Sequence, residues 1–382
     1  MVGNENCAFV HISIDLFARI DRQADGGYPQ CLNKTIQTTT GNPRQSRQTE
    51  IVIMRHHFGD LLDRDGDYWT IIPNFKRYAY RVGDLPNGSS EITIITIGKQ
   101  DENWERIFTF PNLVEVTLHE PSGEQLEAAR ELTGINRLRI THARPHSIDF
   151  IRSLVNVEEL VLEYVSGFTD LSPLRDLPRL RALHLENLRK VSNFDGLAGI
   201  KNLKYLKIHG TLDWLQPIDS FDFLRGLPNL EVLGAWQFAC KKPYPVMLPV
   251  MTLKHLKKLM INGYLPVEEF ALMEECLPGV KGADWGPYQI QPSSYVELSL
   301  EDIRASLPAT VIREKHPEIR IHEDGSRWIS DPSNQWVRFT GKGKRDVQLG
   351  TPQAEKKCRE AAEKYEAMKQ AAKLLVQSEK DK

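Results

Sequence analysis

Between residues 91 and 285, apolar side chains return in one six-residue form whose first, fourth and sixth places are apolar. Leu180-Arg181-Ala182-Leu183-His184-Leu185 shows it, as do the units beginning at Leu203, Val157 and Ile135. Further copies begin at Ile92, Leu113, Leu230, Leu256 and, more weakly, Val280. The starts lie 21, 22, 22, 23, 23, 27, 26 and 24 residues apart, a period that belongs to stacked supersecondary units. Alternation within each copy predicts a short strand. Places four and six point to one side, and places three, five and seven to the other. No copy can bury its apolar side chains alone, so the copies stack and their strands pair in parallel, about 4.8 Å apart. Nine such strands span roughly 40 Å.

The stretches between strands carry a different spacing. Leu171, Leu174, Leu177 and Leu180 recur every third residue, which predicts a short 3₁₀ turn feeding the next strand. The segment from Asn193 to Leu203 repeats the idea. Ser122 to Leu132 and Val267 to Cys276 have helical spacing, and Ser122 followed by Gln125 fits a capping box.

Pattern and period together resemble the leucine-rich repeat from Glu91 to Trp285, most of all the short repeats of bacterial internalins and phosphatase-regulator proteins. The resemblance implies an α/β leucine-rich-repeat solenoid: a curved parallel β-sheet on the concave face, short helices and 3₁₀ turns on the convex face, and terminal caps. One feature departs from that family. Its ninth repeat place usually holds Asn or Cys, whereas this chain has Pro121, Ala143, Val165, Leu188, Thr211, Phe238 and Tyr264 there. Without the usual asparagine ladder, the turn backbone needs other partners, from water or from backbone bonds.

The flanks read as additions to the solenoid. Residues 33–50 are almost devoid of apolar side chains and read as a linker, so residues 1–53 are expected to be a flexible arm or, if Met54 is the start, an artefactual extension. Residues 54–90 supply aromatic and aliphatic side chains for an N-terminal cap. Residues 286–350 are expected to form a C-terminal cap. It includes a helix at Ser299–Ser306 and a hairpin about Asp324-Gly325. Residues 351–382 form a charged helix with Ala361, Tyr365, Met368, Ala372 and Leu375 along one side, packed as a cap or projecting to dock a partner.

Composition narrows the function classes. Of 382 residues, 49 are basic and 51 acidic, so the net charge of -2 argues against a dedicated nucleic-acid binder. No apolar run approaches the ~18 residues of a membrane-spanning helix, and Asp15 interrupts the N-terminal apolar stretch. Five scattered cysteines without a CxxC pair predict reduced thiols and a cytoplasmic location.

Candidate chemistry is thin. Asp63-Arg64-Asp65-Gly66-Asp67 resembles the start of a calcium loop, but Tyr68 stands where Gly is needed. A solvated acidic turn is expected. His142 and His146, and His56 with His57, lack the further ligands of a zinc site. Gly341-Lys342-Gly343-Lys344-Arg345 lacks the spacing of a phosphate loop and reads as a mobile basic loop. Arg327, Trp328, Trp336, Arg338 and Phe339 mix basic and aromatic residues as nucleic-acid sites do, but are expected to build the C-terminal cap. There is no GxSxG elbow, and Cys358 has no nearby His in sequence. Neither enzyme activity, metal nor cofactor is therefore expected.

The working surface is expected on the outward strand places. They present a basic spot (Arg137, Arg139) beside an acidic one (Glu159, Glu163, Glu186), then His184, Tyr205, Lys207, His209, Trp236, Lys258 and Met260. Pairing of Glu115, Arg137 and Glu159 across strands would account for the charges alone. Tyr205, Trp236 and Met260, read as exposed, point to a partner, since Trp, Tyr and Arg are common anchors. The expectation is a monomeric, non-enzymatic scaffold that binds a protein partner. The alternatives are a bacterial effector or immunity-type protein using the repeats for target recognition, and an enzyme with a site in the C-terminal region.

Overall fold

The computed structural model describes residues 81–211, 213–261, 265–282, 285–291 and 335–381 in full, and the backbone alone of 55–56, 62–65, 68–71, 79–80, 292, 295–297, 319–321 and 327–330. Among the described residues ten strands form one sheet, ordered as in the chain. They are β1 (Arg55–His56), β2 (Ala79–Arg81), β3 (Ile94–Gly98), β4 (Glu115–His119), β5 (Arg137–Thr141), β6 (Glu159–Glu163), β7 (Ala182–Glu186), β8 (Tyr205–His209), β9 (Val232–Trp236) and β10 (Lys258–Ile261). From β2 onward every neighbouring pair is parallel, and β1 pairs with β2 antiparallel. Each strand from β3 to β9 occupies places three to seven of its copy. Pairing is in register, so Tyr205 lies between Ala182 and Val232 and His209 between Glu186 and Trp236. Among the described residues, the copy beginning at Val280 joins the sheet through one bridge, Lys258 to Lys281.

One continuous core runs the length of the stack. Leu138, Leu160, Leu183, Leu206 and Leu233, all at place four, are fully enclosed, and the place-six residues lie beneath them. Short 3₁₀ turns at Ser172–Asp176 and Asp195–Leu197 close the back of the repeats, as the three-residue leucine spacing predicts. Helix α1 (Gly123–Ala128) starts at a capping box in which Ser122 Oγ accepts from Gln125 N at 3.1 Å and Ser122 N donates to Gln125 Oε1 at 2.8 Å. Helix α2 (Val267–Cys276) lies where helical spacing places it.

The missing asparagine ladder is replaced in two ways. Place eight turns into the left-handed region at Glu120, His142, Tyr164, Asn187 and Gln237, with φ between 46° and 55°. From there, the N–H groups of Glu120, His142, Tyr164 and Asn187 donate to the place-seven carbonyls of Thr141, Glu163, Glu186 and His209 at 2.9–3.0 Å. The ladder thus runs one place past each strand, and place nine is released to the core, where Ala143, Val165, Leu188 and Phe238 are buried. A second, outer asparagine ladder precedes the strands. Asn112, Asn156, Asn202 and Asn229 each donate their side-chain amide to a carbonyl of the preceding repeat, at Ser90, Thr133, Pro178 and Lys201.

Beyond the repeats, Tyr288–Pro292, Gln335–Phe339 and Val347–Gln348 form an antiparallel sheet. Ile319–Ile321 pairs antiparallel with Arg327–Ser330, and Asp324-Gly325 between them lies outside the described residues. The expected helix at 299–306 and the N-terminal arm lie outside the described residues. Helix α3 (Pro352–Lys380) packs along α2: Tyr365 Oη donates to Glu274 Oε2 at 2.8 Å, and Lys369 Nζ bonds the other oxygen at 2.7 Å. Ala372 and Val376 complete an apolar cluster with Leu248 and Leu272. The loop at 341–345 is docked at its first two residues, while residues 343–345 are exposed. Gly341, at φ 94°, sits against the backbone of Val267, and Lys342 N donates to Leu265 O at 2.8 Å.

Candidate functional site

The outward strand places gather into three zones, each set by the parallel register. In the first zone charges pair across strands, since equal places face one another about one strand spacing apart. Arg137 stands between Glu115, at 3.7 Å, and Glu159, at 2.8 Å. Arg181, at place two, approaches Glu159 at 3.0 Å and Glu158 at 2.9 Å. Arg139 Nη2 and Nε bond Glu163 Oε2 at 2.6 and 2.9 Å. The expected basic spot is therefore paired with two residues of the acidic one, Arg137 with Glu159 and Arg139 with Glu163, with Glu115 and Glu159 buried, while Glu186 lies with His184 and His209.

In the second zone Tyr205 corrects the sequence reading. It is 1% exposed and closes an apolar cluster with Val161, Ala182 and Val232, against which Met260 packs. Tyr205 follows Ala182 and precedes Val232 along the place-three row, so its ring has apolar neighbours on both sides. Burial pushes its phenol well above the ordinary value. It is a packing residue of this face and no protruding anchor.

The third zone centres on Trp236, half-buried at place seven of β9. Its ring lies over Gly234, where a Cβ would come within 2.5 Å of the indole. Lys207 Nζ is 5.2 Å from the ring centroid, a cation–π distance, and His209 meets the indole edge-on at 6.3 Å. Burial lowers the Lys207 ammonium, with Glu186 and Glu163 partly offsetting it. Lys258 remains half-exposed at the end of the place-three row.

Between the second and third zones lie His184, Glu186 and His209. His184 Nε2 is 3.1 Å from His209 Nε2 and 3.3 Å from Glu186 Oε2, and His209 Nε2 is 2.8 Å from the same oxygen. Burial, then Lys207, holds the His184 imidazole well below its usual value. Burial also pushes the Glu186 carboxyl upward, but His209 and His184 outweigh it and keep the group well below the carboxylate range. Among the described residues this trio is the group whose ligand-type atoms converge. Sequence reading treated its members as separate surface positions. The available signal was register: places five and seven of one strand, and place seven of the next, share one patch. His142, by contrast, stacks on Tyr164 with ring centroids 4.7 Å apart. The side chains of His56, His57 and the acidic turn at 63–67 lie outside the described residues.

No family model matches the sequence, and neither does any curated protein. Among solved structures, the chain is similar to internalin C2 of Listeria monocytogenes, at 25% identity, covering 44% of this chain and 70% of that one with a TM-score of 0.34. It is also similar to an internalin F of the same organism, at 17% identity, covering 46% of this chain and 61% of that one, TM-score 0.32. A Leptospira interrogans leucine-rich-repeat protein matches at 18% identity over 52% of this chain and 55% of that one, TM-score 0.37. The chain thus spans less than two thirds of the last two structures. By its own in-register parallel strands, 21- to 27-residue period and 3₁₀ backs, the molecule has the fold of a leucine-rich-repeat solenoid. Among the described residues no helix is long and apolar enough to cross a membrane.

Proposed function

We propose that this protein is a non-enzymatic, monomeric binding scaffold of the cytoplasm that holds a protein partner on the outward face of its sheet. The observation that supports it most is the Trp236 platform. An indole laid over Gly234, braced by Lys207 and His209, offers a rigid aromatic surface that loses little conformational entropy on binding. Trp236, Met260, Lys258 and the stem of Lys207 form the contact patch. The paired charges of Arg137, Arg139, Glu159 and Glu163 set its rim and orientation, and a partner would gain little from breaking those pairs. Tyr205, His184 and Glu186 support the patch from beneath or beside it.

Quantitative affinity capture tests the reading. Wild type, Trp236→Ala and a convex-side control, Glu131→Ala, are compared by mass spectrometry at equal loading. A partner retained by wild type and control, and reduced at least tenfold with Trp236→Ala, supports the platform. Equal recovery with all three overturns it.

A further inference from the structure

We propose that His184, Glu186 and His209 form a binding site for a zinc-class divalent metal ion on the outward face of the sheet. The argument begins with strand geometry. His184 and Glu186 are two residues apart on β7 and so project from one face, and the in-register pairing of His209 with Glu186 brings the third side chain alongside. Three potential donors, Nε2, Nε2 and a carboxylate oxygen, stand 2.8, 3.1 and 3.3 Å apart. A tetrahedral zinc ion with N and O ligands at about 2.0–2.1 Å has ligand-to-ligand edges of about 3.3 Å. The triangle therefore needs to open by a few tenths of an ångström to seat the ion, with no change of strand.

The surroundings set the donors' roles. His209 Nδ1 lies 2.8 Å from the Gly210 carbonyl oxygen. Donation to that oxygen leaves the Nε2 lone pair of a neutral ring facing the trio, the arrangement that orients metal-bound histidines. His184 is almost fully buried, which favours its neutral form, and a neutral imidazole is the ligating form. Three lone-pair donors this close repel unless a proton or a cation sits among them. Two imidazoles and a single carboxylate select a borderline-soft transition ion over calcium or magnesium, which need oxygen ligands. Lys207 is the nearby positive charge that opposes a cation, and the carboxylates of Glu186 and Glu163 act against it. Three protein ligands leave at least one coordination position for water or for a donor from a bound molecule.

The test uses the full chain, stripped with a chelator and dialysed. Titration with zinc chloride by calorimetry is expected to show one ion per chain at micromolar or tighter affinity, with calcium and magnesium chloride giving no heat of binding. Cobalt(II) is expected to give the intense visible bands of a four-coordinate site. Glu186→Gln and His209→Gln, whose folding is checked by circular dichroism, should each weaken zinc binding at least a hundredfold. His142→Gln, in the turn two repeats before His184 and outside the trio, should leave it unchanged. The cobalt spectrum of wild type stands even if a variant fails to fold. No binding by wild type, binding that the Glu186 and His209 variants retain, or calcium binding as tight as zinc each overturns the site. Because the readout is metal alone, its outcome is independent of whether a protein partner exists.

Discussion

Two aromatic residues at alternate levels of the same face behave differently because of their neighbours. Tyr205 is enclosed by Val161, Ala182 and Val232, while Trp236 lies over a glycine and keeps part of its surface exposed. Truncating the enclosed ring removes its buried area and leaves a cavity, so Tyr205→Ala is expected to cost about 3–5 kcal/mol in urea unfolding. Trp236→Ala should cost less than half as much, because its ring fills no interior space. Equal losses at the two positions would show that the indole is core. The sequence spacing put both rings on the outward face, and that is where they are. It carried no information on which would be roofed over, because burial there depends on residues 20 to 50 positions away in the chain.

At the scale of the element, the strand entrances carry as much order as the strands. Place two forms its own charge row, in which Glu231 bonds Lys204 at 2.9 Å and Lys257 at 2.8 Å. Burial raises the Glu231 carboxyl, but its bonds to Lys257 and Lys204 outweigh that and hold it below the ordinary value. A carboxyl depressed in the folded state stabilises the fold above its unfolded pKa, near 4.5, and that stability is lost as pH falls through the folded value. Glu231→Gln is therefore expected to lower the melting temperature near neutral pH and to converge with wild type in acid, as thermal melts from about pH 7 to pH 3 would reveal. A constant difference across that range would count against the ion pairs as the source. The outer asparagines at 112, 156, 202 and 229 were visible as residues just before place one. Their role was not, because a ladder bond joins each to a carbonyl in the preceding repeat.

At the scale of the whole molecule, the solenoid needs its apolar end covered. Helix α3 does this for α2 through Tyr365, Ala372 and Val376. Removing residues 351–382 uncovers Leu248, Leu272 and Cys276, and is expected to increase binding of an environment-sensitive apolar dye and to lower the melting temperature. Unchanged dye binding and stability would show that the helix is a passenger. The charged face of this helix was legible in the sequence, as was the stripe of Tyr365, Met368, Ala372 and Leu375. What that stripe meets was decided by α2, 80 or more residues earlier.

By itself the sequence determined the repeat: its period, the strand places, the inward leucines, the 3₁₀ backs and the capping box at Ser122. These depend on contacts within one copy or between adjacent copies, so local spacing encodes them. Tertiary structure decided how the outward face is used. Parallel register paired Arg137 with Glu159 and Arg139 with Glu163, and roofed Tyr205. It set Lys207 and His209 beside Trp236, and it drew His184, Glu186 and His209 into a single cluster. Those outcomes depend on which side chains stand one strand spacing apart, a relation that periodicity announces only once the register is known.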